Sequence, residues 1–566
     1  MPLKPIFEKS PLTSAHALPL RPGQVQAECV AIRTLSQALT ESDMARQPLL
    51  WEGLFRAGAV TCRHPETLPV ARWIAGALEA QDEQGALPGS ALEQLAEARA
   101  ALALYEFDPR RPTLERLARW CAWLAGQLDG LLDACPALRQ RPADLMELLE
   151  QLYRITGKKA ILALCETLRR RCMDWSGLLH TFAVQRPMSR VTPWSDMEPG
   201  LEAEDGNEQG FYTRQYLTCH GEALADGARA TVMNGIYSGG GTELSAAQAG
   251  WERISRYHGA VCGGLTCDET LGGASPSAAV DAVALGAWAE TFCAAGEMGK
   301  TDWDALELML ENAMAKAVSG GQLHTLQRVN GLAADCGTTG VYHLGENRET
   351  RAVARLLRGY AAAYSHAVTA RKRGLDVNLY LPGRYVAGLD GSVMAVTIAG
   401  GEGRYTLTLH MKQDAKAALR LRIPAWTNDA CVTVNDEGGD EGKPGTFLTL
   451  ERTWHDGDVI TCAYARTLRM LDGHHQSRCV MLGSTLMLME AAPDTAWGMA
   501  LTGDAALDAE GRVTCAAAPV QDWRKRGAIP ADLPVLPKVS GEESTITLVP
   551  YASACGIALF PKGTRA

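Results

Sequence analysis

Nowhere in the 566 residues is there a run near the ~20 uninterrupted apolar residues that a membrane-spanning helix needs. The 16 cysteines are scattered singly, with no Cys-x-x-Cys pair, so the spacing spells neither a disulfide framework nor a zinc ribbon. Several of them, such as Cys121, Cys165 and Cys172, fall at apolar positions of helical patterns, where a free thiol acts as a small hydrophobe. An excess of positive charge is missing too. Against 55 Lys and Arg stand 65 Asp and Glu, a net charge of -10 that offers no field to a phosphate backbone and argues against nucleic acid. Near the N-terminus Pro2, Pro5 and Pro11 interrupt the chain before the apolar core of a secretory leader could form. Together these absences lead us to expect a reduced, cytoplasmic protein that does not touch membranes.

What the chain does have is size and periodicity. With 46% hydrophobic residues over this length it exceeds what one core can organise, and roughly two or three domains follow. From about residue 25 to 370 the period is helical. In Thr113–Gly130 the residues Leu114, Leu117, Cys121, Leu124 and Leu128 recur at three- and four-residue spacing, one face of a helix. Asp144 with Glu147 reads as a capping box before Leu145, Leu148, Leu149 and Leu152, and Gly157 as the stop. Lys158–Cys172 follows at once, with Ile161, Leu162, Cys165 and Leu168 on one face. Two helices joined by a short glycine turn form an antiparallel hairpin, the unit of helical toroids. The pattern predicts further helices over Val70–Gln81, Ala91–Tyr105, Gly221–Ser238, Ser245–His258, Ala278–Ala295, Trp303–Ala317 and Arg351–Ala370.

Near residue 375 the period drops to two. In Tyr405-Thr-Leu-Thr-Leu-His-Met411 apolar and polar residues alternate, and Leu419–Ile423, Cys431–Asn435, Phe447–Glu451 and Val459–Ala463 continue the pattern between turns such as His455-Asp-Gly457. The expected fold is therefore multidomain α + β, an (α/α)6-type helical toroid followed by an antiparallel β-sandwich. We divide it into an N-terminal extension (1–24), the toroid (25–372), the sandwich (373–490) and a segment (491–566) that completes the sandwich or contacts a second subunit.

Specific residues carry a resemblance. Asp376-Val-Asn-Leu-Tyr-Leu-Pro382, Leu419-Arg-Leu-Arg-Ile-Pro-Ala-Trp426, Val432-Thr-Val-Asn435 and Arg452-Thr-Trp-His-Asp-Gly-Asp-Val459 resemble the junction and sandwich of the β-L-arabinofuranosidases of glycoside hydrolase family 127. In the helical part, Glu150-Gln-Leu-Tyr-Arg-Ile-Thr-Gly157, Cys219-His-Gly221, Tyr257-His-Gly259 and Cys267-Asp-Glu-Thr-Leu-Gly-Gly-Ala-Ser-Pro-Ser277 are similar to the same family in the same order. The resemblance runs from roughly residue 65 to 490.

That resemblance implies a zinc ion held by one Glu and three Cys, one thiolate acting as nucleophile, and a second Glu as general acid/base. Zinc makes such a thiolate credible by removing its proton and fixing its position. This chain departs from the pattern. The register puts Asp281 at the ligand Glu, Val283 at the first ligand Cys and Arg348-Glu349 at the paired Cys. What matches is Glu269 at the general acid/base, beside Asp268, and His220 at a histidine lining the sugar pocket. Gln327 and Asn330 fall where the family has polar pocket residues.

Glycoside hydrolysis needs two carboxyls, one protonated to release the leaving oxygen and one ionised to attack or to activate water. Glu269 is the candidate acid, with Glu349, Asp281 or Asp268 as its partner and His220, Gln327 and Asn330 binding substrate. No metal and no cofactor is expected. His258, Cys262 and Cys267 have zinc-binding side chains but match no common zinc spacing. Among the aromatics, Trp175, Trp194 and Tyr212 lie in loop-like stretches where they could line a pocket.

The reading is a glycoside hydrolase acting on a small arabinofuranoside-like pentose glycoside, with a homodimer as a further expectation. The alternatives are a non-catalytic descendant that binds a sugar or a protein, and a lyase or epimerase using Glu269 and His220.

Overall fold

The computed structural model describes residues 18–61, 69–185, 219–238, 241–273, 278–299, 301–330, 348–389, 392–473, 477–490, 499–520 and 541–561. Six helices form a closed ring: α1 (Pro48–Val60), α2 (Ala91–Phe107), α3 (Ala143–Thr156), α4 (Gly221–Ser238), α5 (Ala282–Glu297) and α6 (Arg348–Ala367). Each packs on the next, and α6 packs on α1. Between them in sequence run helices Pro69–Glu79, Arg111–Ala134, Lys159–Arg171 and Gly241–His258 and the stretch from Trp303 to Ala317, so the chain alternates between the ring and its surround.

Local chemistry sets the ends of these helices. Pro48 starts α1, where its missing N–H costs nothing. Ser90 and Glu93 form a capping box on α2, and Gly157, at φ 66°, stops α3 in the left-handed region as expected. Close packing sets the neighbours. A Cβ on Gly286 of α5 would lie 2.3 Å from the backbone of Arg355 on α6, so only glycine lets these two helices approach so nearly.

The inside of the ring is ionic. Arg355 on α6 donates to Glu222 (2.8 Å) and Asp226 (2.7 Å) on α4 and to Glu290 (2.9 Å) on α5. Arg99 on α2 reaches Glu52 on α1 at 2.7 Å and Glu147 on α3 at 3.1 Å. At the far end Arg154 on α3 meets Glu297, the last residue of α5, at 2.7 Å. Glu222 lies in the first turn of α4 and its partners Arg351 and Arg355 in the first half of α6, while Glu297 and His366 meet near the C-terminal ends, so the helices run in a common direction. All six N-termini therefore open at one mouth.

This network explains one correction. Asp144 does not cap its helix, for α3 begins at Ala143 behind Pro142 with no side-chain cap. Its carboxylate instead accepts from Arg358 at 2.6 Å, because a buried guanidinium is the stronger partner. Two other boundaries shift. The stretch expected to be helical from Ala278 opens with a short strand, Ala279–Asp281, and Met309–Met314 is a π-helical turn inside an otherwise α-helical run.

The β half contains three larger sheets. Leu18–Pro19 pairs with Val368–Arg371 in a five-stranded sheet, and Val25–Ala27 pairs with Gly383–Leu389 in a seven-stranded one, so the segment ahead of the ring is stitched into the β half. The third sheet runs from Leu468–Asp472 through Ser477–Leu482 and Thr485–Glu490 to Ser544–Pro550, Val513–Pro519 and, at the far edge, Met499–Leu507. A division at 490 would cut this sheet; the change of sheet comes after Arg466. Among the described residues no helix is long and apolar enough to cross a membrane.

Candidate active site

Four of the residues singled out in the sequence, His220, Asp268, Glu269 and Asp281, gather at the mouth of the ring, where three pieces of backbone meet. The first is a tight hairpin in which Cys267–Asp268 pairs with Thr270–Leu271, leaving Glu269 at the apex with φ 64°. A left-handed conformation is unfavourable for a residue with a Cβ, and here neighbouring backbone enforces it. The Glu269 carbonyl accepts from Gly221 N at 2.8 Å, the Cys219 carbonyl accepts from Leu271 N at 2.8 Å, and His220 bridges to Thr270. Cys219-His-Gly221 thus clamps the hairpin onto the start of α4. Glycine is required in that motif, since a Cβ on Gly221 would lie 2.7 Å from the Cys267 sulfur. Glu269 is only 1% exposed.

His220 is buried beside it. Its Nδ1 accepts from Ala223 N at 3.2 Å, which places the proton of the neutral ring on Nε2. Burial pushes the imidazole down to about 3, against the pull of Glu222, so His220 acts as a neutral Nε2–H donor rather than as a cation.

The second piece is the strand Ala279–Asp281, paired with Leu326–Arg328 and leading directly into α5. Asp281 caps α5, its Oδ1 accepting from Val283 N at 2.9 Å. The third piece is the start of α6. Arg348 Nη2 lies 3.0 Å from Asp281 Oδ2 and 3.0 Å from Asp268 Oδ1, and the guanidinium is within electrostatic reach of Glu269. Asp281 is nearly buried, with 4% of its side chain exposed, whereas 38% of the Asp268 side chain is open. Burial pushes the Asp281 carboxyl up, while Arg348 and the Val283 N–H pull it down.

Not every candidate joins this cluster. Glu349 is exposed on the first turn of α6; successive helix residues point about 100° apart, and it is Arg348 that enters the site. Gln327 is buried and its amide donates to the Ala313 carbonyl of the π-helical turn at 2.6 Å. Asn330 is also buried and binds the C-terminal segment, donating to the Leu559 carbonyl and accepting from the N–H groups of Ala558 and Leu559. Both amides are committed to holding the strand that supports Asp281. Trp175 is core, its ring seated on Gly227 and its Nε1 donating to the Gln140 carbonyl at 2.7 Å. Trp194, Tyr212 and Ser275–Ser277 lie outside the described residues.

A zinc ion held by a Glu and three thiolates does not fit these residues. The ligand Glu position carries Asp281, which is engaged by Arg348 and by the helix it caps. Val283 has no donor atom, and at the paired-Cys position the side chain that enters is itself a cation. Burial, and then Asp281, push the nearby Cys267 thiol well up, which keeps it protonated. His258 is spent on structure, its Nδ1 accepting from Gly273 N and its Nε2 meeting the Val184 carbonyl. Among the described residues no group of three or more His, Cys, Asp or Glu could hold a metal.

Beyond Arg351 and Arg355 the mouth continues into a cavity of about 580 Å³, lined by Arg99, Arg141, Asp226 and the N-terminal turns of α1 and α2. Sequence reasoning placed Arg348 by register but chose its neighbour Glu349 as the functional group, because charge alternation in Asn347-Arg-Glu-Thr-Arg351 does not say which side chain enters the site. The signal available was its register, where a positive residue stands in place of a ligand.

Comparison with known proteins bears on the fold. Residues 374–466 match the family model described as β-L-arabinofuranosidase, GH127 middle domain. No curated protein matches the chain in sequence. Among solved structures, a GH127 β-L-arabinofuranosidase from Geobacillus stearothermophilus T6 superposes with a TM-score of 0.63 at 16% identity, covering 95% of this chain and 94% of that one. A protein described as a glycoside hydrolase gives 0.69 at 16% identity, covering 98% and 99%. A second GH127 β-arabinofuranosidase gives 0.63 at 14%, covering 96% and 98%. The chain thus resembles glycoside hydrolase family 127, in sequence over the middle domain and in fold along nearly its whole length.

Proposed function

We propose that the chain is a glycoside hydrolase that acts on a small pentose glycoside, of arabinofuranoside type, by carboxylate acid/base chemistry. The observation that carries this reading is the buried Glu269, fixed in a left-handed conformation at the mouth of the ring beside a neutral histidine. A carboxyl held at a fixed point of the mouth is placed to act as a general acid on a leaving oxygen. In the reaction Glu269 gives its proton to the glycosidic oxygen as the bond to the anomeric carbon breaks. A partner carboxylate takes a proton from the water that adds to that carbon. The alcohol leaves, the sugar departs with its new hydroxyl, and both carboxyls return to their starting state by exchange with solvent. His220 Nε2–H donates to a sugar oxygen. The similarity to the arabinofuranosidases named above selects the sugar to try first.

The test is hydrolysis of a panel of glycosides with alkyl leaving groups, led by the β-L-arabinofuranoside, by wild type and Glu269→Gln with and without chelator. We expect turnover that is indifferent to chelator and falls by about 10²- to 10⁴-fold in the variant. A folded wild type inactive on every sugar would favour a binding protein or a lyase.

A further inference from the structure

We infer that the Arg348 guanidinium takes the place of the metal that the family resemblance implies, and that this fixed cation positions Asp268 as the carboxylate partner of Glu269. This rests on the hydrolase reading above for its chemical half and on the site residues alone for the other.

Three observations carry it. One nitrogen, Nη2, is 3.0 Å from both Asp281 Oδ2 and Asp268 Oδ1, so a single positive group bridges two carboxylates that come from separate pieces of backbone. The two carboxylates are not equivalent. Asp281 is buried and doubly tied, to Arg348 and to the N-terminus of α5, and serves as the anchor. Asp268 is the open one, next in sequence to Glu269 at the hairpin apex, and only this member of the pair has surface to offer a sugar or a water molecule. Arg348 also starts α6, whose later arginines are locked into the ionic network of the ring, so the guanidinium is carried on a rigid element.

A guanidinium does for a carboxylate some of what a divalent cation does. It supplies a positive charge independent of pH in the working range and directed donors that fix the orientation of the oxygen atoms. The thiols that the family resemblance implies are missing both at Val283 and at Arg348-Glu349, so no nucleophilic sulfur stands beside it. The site has exchanged a metal and a thiolate for an arginine and an aspartate. In the reaction Asp268 accepts the proton from the attacking water and Glu269 donates one to the leaving oxygen, which balances the step. Arg348 touches neither reacting atom and is a positioning residue.

The test has two arms. In the first, purified wild type is incubated with zinc, dialysed and assayed for bound metal by plasma mass spectrometry, and its melting temperature is read with and without chelator. We expect no retained zinc and no shift; one zinc per chain, with a melting temperature that falls on chelation, overturns the inference whatever the enzyme does. In the second, Arg348→Ala, Arg348→Lys and Asp268→Asn are assayed on the β-L-arabinofuranoside. Arg348→Ala should lose about 10- to 100-fold in kcat with KM little changed, in line with the loss of a group that orients an active-site ligand. Added guanidinium ion should restore part of it, and Arg348→Lys should fall between. Asp268→Asn should lose at least as much as Arg348→Ala and gain nothing from guanidinium. Loss confined to KM, absence of rescue in a folded Arg348→Ala, or an Asp268→Asn enzyme of full activity overturns it. An inactive wild type refutes the hydrolase reading instead, and the metal count then decides the cation alone.

Discussion

Glu269 combines two features that are individually unfavourable, burial of a carboxyl and a φ of 64° on a residue with a side chain. Such costs persist where surrounding structure over-determines them. Glu269→Gly should therefore cost most of the turnover of an alkyl glycoside while leaving stability unchanged or raised by about 1 kcal/mol, because glycine adopts the left-handed region freely. A clear drop in melting temperature would show that the carboxylate serves the fold instead. At this scale the sequence was legible only in part. Glu269, Asp268 and His220 were found through motif resemblance, since spacing alone says nothing about a one-residue apex between two short strands. Asp281 was found by register, but its role as a helix cap was hidden by the Ala- and Val-rich stretch around it. Asn330 has the right side chain and the wrong surroundings. An amide two residues beyond a strand looks the same in sequence whether it faces a sugar or a second piece of chain.

Among the elements, the C-terminal segment matters most for the site. Tyr551 Oη donates to the Arg328 carbonyl at 3.2 Å and Asn330 makes three hydrogen bonds to residues 558 and 559, so the end of the chain buttresses the strand that pairs with Asp281. Asn330→Ala would leave two buried N–H groups and a carbonyl without this partner, at about 1–3 kcal/mol per group and less than additively. We expect a melting temperature lowered accordingly, faster proteolytic cleavage near residue 555, and reduced turnover through a displaced Asp281. An unchanged protease pattern would refute the buttress. The long helices were readable because their apolar faces recur every three or four residues over many turns, as in Arg111–Ala134. Short elements such as Ala279–Asp281 and the strands at 18–27 were not, because two or three residues cannot establish a period and their pairing partners lie far away in sequence.

For the whole molecule, the ring is held by ion pairs as much as by apolar packing. Burial pushes Asp144, Glu222 and Asp226 up, but the surrounding guanidiniums prevail and hold them below the usual carboxylate range, and Glu297 is held down at about 2 by Arg154 and His366. A carboxylate depressed on folding contributes stability that is present above its unfolded value near ~4 and is lost as pH falls through the folded one. Glu97 works in the opposite sense. Burial and Glu93 push it up to about 7, so its contribution is present in acid and is lost as pH rises toward that value. Melting temperature should thus peak in the mildly acidic range and collapse below pH ~4, toward the ~2 of the lowest carboxyls. A curve flat down to pH ~2 would contradict the network's role. Arg355→Ala should be among the most damaging single changes, at about 3–5 kcal/mol, because it takes one guanidinium from each of three buried carboxylates at once. The ring-then-sheets order was legible from the switch of period near residue 375. The ionic interior was not, since a helical period does not say that arginines such as Arg355 and Arg358 meet carboxylates from three other helices when the ring closes.

The central claim is that Glu269 delivers the proton to the leaving oxygen. The most direct measurement compares wild type and Glu269→Gln on two β-L-arabinofuranosides, one with an acidic aryl leaving group and one with an alkyl leaving group. The account predicts that the variant nearly keeps pace on the aryl substrate, which leaves without protonation, and loses about 10²- to 10⁴-fold on the alkyl one. Equal losses on both would contradict it.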